Sequence, residues 1–185
     1  MSLRKILIEP NKLLREKSLT VKEVDENLQK LMDDMLETMY AAPGIGLAAI
    51  QVGAPKRVIV LDIGWRDKSE STSDEKQVGK KNPLCFVNPE IIAKSTNNST
   101  YEEGCLSVPG QFAEIDRPDK CHIKYLDYYG QPKELVAADM FATCIQHEMD
   151  HLEGILFIDY LSKLKKSMIV KKLVKQKKQL DRIVI

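Results

Sequence analysis

Asp139-Met140-Phe141-Ala142-Thr143-Cys144-Ile145-Gln146-His147-Glu148-Met149-Asp150-His151-Leu152-Glu153-Gly154 is the stretch on which the reading of this sequence turns. At 3.6 residues per turn, Met140, Cys144, His147 and His151 fall at i, i+4, i+7 and i+11, a single stripe that is expected to face the interior. Asp139 is placed to cap the helix and Gly154 to end it. Two imidazoles four residues apart lie on one helix face, so both can reach one divalent ion, with Glu148 beside them as a base. The bland alternative is a packed helix whose histidines satisfy ordinary hydrogen bonds. Against it stands the cost of desolvating an unpartnered imidazole, roughly 1 to 3 kcal/mol each.

Outward from this helix, the chain looks like one globular domain over residues 1–185. Its 43% apolar and 30% charged residues are far from disordered or membrane-spanning compositions. Lys and Arg total 28 against 27 for Asp and Glu, a net charge of +1, so no global basic field points to sequence-specific nucleic-acid binding. The apolar stretch from Met1 to Pro10 is too short for a secretory signal or a membrane span. A cytoplasmic, reducing location is therefore expected, with no membrane partner and with Cys85, Cys105, Cys121 and Cys144 as thiols or metal ligands.

Leu28, Leu31, Met32, Met35 and Met39 keep helical spacing over residues 26–40, which predicts an amphipathic helix with a methionine-rich core face. Strands are expected at 57–63, 85–88, 120–127 and 133–138, the last two joined through a turn at Gly130. Residues 64–82 read as a polar, mobile surface loop. Strands and helices without regular βαβ alternation favour an α+β fold: antiparallel or mixed sheets packed around a central helix carrying HExxH, with a C-terminal helix. That last helix, 161–182, carries nine basic residues and one acid after Leu161, with Leu161, Leu164, Met168 and Leu173 at helical spacing.

A catalytic metal needs a third protein ligand and an open position. His122 reads as a strand residue; the better source is Glu102-Glu103-Gly104-Cys105-Leu106-Ser107-Val108-Pro109. Here Glu103-Gly104-Cys105-Leu106-Ser107, taken with Gln146-His147-Glu148-Met149-Asp150-His151-Leu152, resembles peptide deformylase. Gly44-Ile45-Gly46-Leu47-Ala48-Ala49-Ile50-Gln51 matches the family's glycine-rich segment, in the family's order. Asn88-Pro89 and Asp159-Tyr160-Leu161-Ser162 extend the resemblance over most of the chain.

The resemblance implies that Cys105, His147 and His151 hold one metal ion, Fe²⁺ in the cell, with Zn²⁺, Ni²⁺ or Co²⁺ possible in a purified sample. It implies a water nucleophile on that ion, Glu148 as general base and acid, and Gln51 with the Leu106 backbone N–H as oxyanion donors. The substrate would be an N-formylmethionyl peptide, its pocket walled by Ile45, Gly46, Tyr101, Glu103, Gly104, Met140 and Cys144. Many relatives carry an arginine shortly after the Cys-Leu-Ser-Val-Pro segment, where this chain reads Gln111-Phe112; Arg117 comes later and is not expected to substitute. The basic tail suggests contact with ribosomal phosphate. Two other classes compete: a zinc endopeptidase of the HExxH type, and a non-catalytic binding protein that uses the tail.

Overall fold

Helix α1 (Glu26–Ala41) starts at Asp25, whose side chain accepts from the Leu28 N–H. Leu28, Leu31, Met32, Met35 and Met39 are all buried, so the spacing identified the core face. The computed structural model describes residues 2–64 and 81–183. The polar loop expected at 64–82 lies, but for its terminal residues Gly64, Lys81 and Asn82, outside the described residues.

Among the described residues, seven strands form two antiparallel sheets. β1 (Gly46–Ala48), β2 (Val58–Leu61), β3 (Leu84–Lys94), β6 (Lys120–Leu126) and β7 (Pro132–Ala138) make the larger, in the order β1-β2-β3-β6-β7. β4 (Asn98–Cys105) and β5 (Val108–Pro118) pair as a separate hairpin. The expected β6–β7 hairpin is present, with Gly130 at φ +77° in its turn. β3 runs well past the expected 85–88, because the register shift between Val87 and Glu90 absorbs Asn88, at φ +50°, and Pro89 without ending the strand.

β2 fixes the layering. Val58 and Val60 pack with the α1 methionines, while Ile59 and Leu61 pack with Ile145 and Leu152 of helix α2 (Asp139–Leu152). With a side-chain period of two, the helices must therefore cover opposite faces of the sheet. All four β2 side chains are fully buried, each contributing roughly 1.5 to 3 kcal/mol of hydrophobic stabilisation. A third core joins Val108 and Ile115 of β5 to Phe157, Ile158 and Leu173, the last on helix α3 (Lys163–Ile183).

Three local expectations need correction. Asp139 does not cap α2: Ala138 stays extended, and Asp139 turns the chain itself at φ +53°, its N–H donated to Asp119 O. Met140 does not continue the buried stripe but is 46% exposed, because it sits in the first turn of the helix and lines an open cavity. Of the four spaced residues, Leu161 and Leu173 pack inward, with Ile169 and Val170, while Leu164 and Met168 are exposed, so the docked face of α3 coincides only in part with the expected stripe. No helix among the described residues is long and apolar enough to cross a membrane.

Candidate metal centre

α2 is buried almost throughout from Ala142 to Glu148, and it presents His147 and His151 toward the end of β4. Their rings lie 5.1 Å apart, edge to face. β4 brings Cys105 to them: Cys105 Sγ is 3.2 Å from His151 Nε2. One donor atom each of Cys105, His147 and His151 lies within 4.8 Å of the other two, and they form the group among the described residues able to hold a metal ion. For a tetrahedral ion with metal–sulfur and metal–nitrogen bonds near 2.3 and 2.0 Å, neighbouring donors stand roughly 3.3 to 3.6 Å apart, which suits this spacing. His122 takes no part; it lies on β6 beside Glu134, at 3.1 Å.

The surroundings also fit a cation. His147 Nδ1 donates to Glu103 Oε2 at 2.7 Å, which leaves Nε2 available to an ion. Burial opposes charge on His147, yet its hydrogen bonds to Cys105 and Glu103 draw it well above the ordinary histidine value, whereas burial and the neighbouring His147 hold His151 well below it. Glu103 would itself be raised by burial, but His147 and Arg117 hold it below the usual carboxylate range. Arg117, 4% exposed, grips Glu103 through Nε at 2.5 Å and Nη2 at 3.0 Å, and reaches Asp150 Oδ2 through Nη1 at 2.8 Å. The missing arginine of the Gln111-Phe112 region is therefore not replaced by Arg117, whose guanidinium is committed to this network.

Glu148 sits beside this candidate metal group, with burial pushing its carboxyl up to about 7. Its Oε2 is buried and unpartnered. Gly46 on β1 makes room for it: a Cβ there would run into Glu148 Oε1 and come within 2.7 Å of Leu61 Cδ2. Gln51, in a 3-10 helix over Ala49–Val52, accepts from the Ala48 N–H at 2.8 Å. That bond orients the amide so that Nε2 donates to Ser107 Oγ at 3.0 Å and points toward Cys105 Sγ at 3.5 Å. Gly44 lets Leu106 approach, since a Cβ would meet Leu106 Cδ1 at 2.8 Å.

A cavity of about 520 Å³ opens onto this group; Gln51, Cys105, Leu106, His147 and Glu148 line its floor, and Ile45, Gly46, Gly104, Met140 and Phe112 are among its walls. Of the expected wall residues, Tyr101, Glu103 and Cys144 do not line it. Tyr101 is two strand periods from Cys105 along β4, Glu103 turns to His147 and Arg117, and Cys144 is packed into the core under α2. Phe112 pairs across the hairpin with Gly104 and is 64% exposed at the cavity mouth. Its ring takes the space of a side chain on Gly104, where a Cβ would meet Phe112 Cε1 at 2.6 Å.

Sequence reasoning did not assign strands β4 and β5, nor any role to Arg117. The alternation was there: Glu103, Ala113, Ile115 and Arg117 point inward while Glu102, Phe112, Glu114 and Asp116 point out. Two of the inward residues are charged, which disguises the apolar–polar period on which strand recognition rests.

Residues 3–167 match the sequence model of the family described as polypeptide deformylase. The chain is 60% identical over 185 residues to a peptide deformylase of Pelagibacter ubique, covering all of both chains, and 54% identical over 182 residues to one of Maricaulis maris, covering 98% of each. Among solved structures, the peptide deformylase of Ehrlichia chaffeensis superposes with a TM-score of 0.87 at 40% identity, over 96% of this chain and 98% of that one. A structure from the same organism in complex with actinonin gives 0.86 at 41% identity, over 95% and 98%.

Proposed function

The chain belongs to the polypeptide deformylase family, and on that premise we propose that it removes the formyl group from N-formylmethionyl peptides, releasing formate and a free amino terminus, with one divalent ion held by Cys105, His147 and His151. The observation that carries this reading is the convergence of three donor atoms within 4.8 Å of one another beside a buried, unpartnered carboxylate oxygen of Glu148. An ion in that position supplies Lewis acidity, lowering the pKa of water and polarising the formyl oxygen. Iron is the proposed metal in the cell; a Cys-His₂ donor set also accepts Zn²⁺, Ni²⁺ or Co²⁺.

The protein's own residues account for the remaining steps. Glu148 takes a proton from the attacking water and delivers it to the departing amide nitrogen, which otherwise leaves as a poor amide anion when the C–N bond breaks. A carboxyl drawn up by burial is a better base than an exposed one. As the formyl carbon becomes tetrahedral its oxygen gains charge, and Gln51 Nε2 and the Leu106 N–H are the proposed donors. The Gln51 amide is held in advance by Ala48, so it loses little entropy when it turns to substrate. Ile45 and Met140 supply apolar wall for the methionine side chain.

The test is formate release from a formyl-Met peptide, run anaerobically with metal analysis on the same sample. Cys105→Ala should abolish metal retention and turnover together. Cleavage of internal peptide bonds without formate release would favour the endopeptidase reading. Ribosome contact through α3, whose exposed lysines include Lys171, Lys172 and Lys175, belongs to the same proposal. Salt-insensitive ribosome pelleting, or pelleting unchanged by lysine-to-glutamate substitutions there, would remove it.

A further inference from the structure

A chain of polar contacts runs from the surface to the ligand His147. Tyr160, about half exposed at the end of the 3-10 helix Phe157–Tyr160, donates its hydroxyl to Asp150 Oδ2 at 2.8 Å. The same Asp150 oxygen accepts from Arg117 Nη1 at 2.8 Å, and the Arg117 guanidinium carbon lies 5.0 Å from the centre of the Tyr160 ring. Arg117 then holds both oxygens of Glu103, and Glu103 Oε2 accepts from His147 Nδ1. Neither Asp150 nor Tyr160 lines the cavity that opens onto the metal centre; both line a second cavity, together with Arg117.

We propose that Asp150 and Tyr160 are positioning residues for the metal centre, acting through Arg117 and Glu103 to fix the orientation of His147. The geometry requires this third anchor. Glu103 Oε2 serves Arg117 Nη2 and His147 Nδ1 at once, so its place is set by where the guanidinium lies. A bidentate grip on Glu103 alone would let the guanidinium pivot about the carboxylate; Asp150 on Nη1 and the Tyr160 ring beneath remove that freedom. The hydroxyl of Tyr160 in turn pins Asp150, which is otherwise a partly exposed side chain on the last turn of α2. Partners of this kind around a metal ligand typically change metal affinity 10- to 100-fold when removed. The inference rests on the metal assignment made above but not on the identity of the substrate.

The test loads wild type, Asp150→Asn, Tyr160→Phe and Tyr160→Leu with Co²⁺ and measures two things: the visible absorption of the bound ion and its rate of loss to excess chelator. Thermal unfolding of the metal-free proteins is measured alongside. Asp150→Asn should lose cobalt about 10-fold faster, with altered absorption. Tyr160→Leu, which removes both ring and hydroxyl, should show a smaller change in the same direction, and Tyr160→Phe, which keeps the ring, a smaller one still. Should Asp150→Asn fail to fold, the two Tyr160 variants decide alone. Loss rates and spectra within twofold of wild type overturn the proposal, whether or not metal-free stability falls, since a fall in stability alone is what a merely structural role produces. A protein that binds cobalt in this graded way yet releases no formate from formyl-Met peptide would leave the positioning role standing and defeat the functional reading instead.

Discussion

At the residue scale, Glu148 and Gly46 form a single unit. The carboxylate occupies the space a side chain on Gly46 would need, so β1 can pass close to α2 only with glycine at that position. Gly46→Ala should displace the Glu148 carboxylate or the Leu61 methyl, costing roughly 1 to 3 kcal/mol of stability and lowering kcat more than it changes KM. Urea unfolding and steady-state kinetics on one preparation check both; wild-type kcat in a folded Gly46→Ala protein would show that the carboxylate can move freely. Glu148→Ala should leave metal content intact while cutting kcat by about 10² to 10⁴. Full activity with full metal content would remove Glu148 from the proton path.

At the scale of elements, legibility followed the purity of the period. α1 and α2 were readable because their inward positions are apolar or carry the paired histidines, and the β6–β7 hairpin because β-branched and aromatic residues flank Gly130. Met35→Ala on α1, fully buried between helix and sheet, should cost about 2 to 5 kcal/mol without altering metal binding, a difference measurable by chemical unfolding of the metal-loaded protein. The β4–β5 hairpin was not readable, although it delivers Cys105. Its inner face holds an Arg117–Glu103 ion pair where a strand pattern calls for apolar residues, and the partners are 14 positions apart in sequence. Cys105 could be assigned as a ligand only from the resemblance of its surrounding motif, because nothing in the spacing between residues 105 and 147 says that the two meet. On α3, Leu164 and Met168 keep the same i, i+4 spacing as Ile169 and Leu173, so periodicity alone does not separate the exposed pair from the docked one.

Across the whole molecule, the N-terminal segment, the 3-10 helix Phe157–Tyr160 and the start of α3 are tied together by Asp159. Its carboxylate accepts from the Leu156 N–H at 2.8 Å and pairs with Arg15 and Lys166, each at 2.5 Å. Burial alone would raise this group, but the Leu156 N–H, Lys166 and Arg15 together hold it below the usual aspartate range. A carboxylate depressed by folding contributes stability that is fully present above its unfolded value, near pH 4, and is lost as pH falls through the lower folded value. Asp159→Asn should therefore cost about 1 kcal/mol at pH 7, a modest figure because the site is partly solvated. The gap between variant and wild type should narrow below pH 4, where the wild-type carboxylate also becomes protonated. Urea unfolding at pH 7 and near pH 3, with chelator present in every sample so that acid release of metal does not enter, measures that gap at both ends. A gap that stayed constant or widened on acidification would mean that Asp159 joins the three segments through packing rather than through its charge.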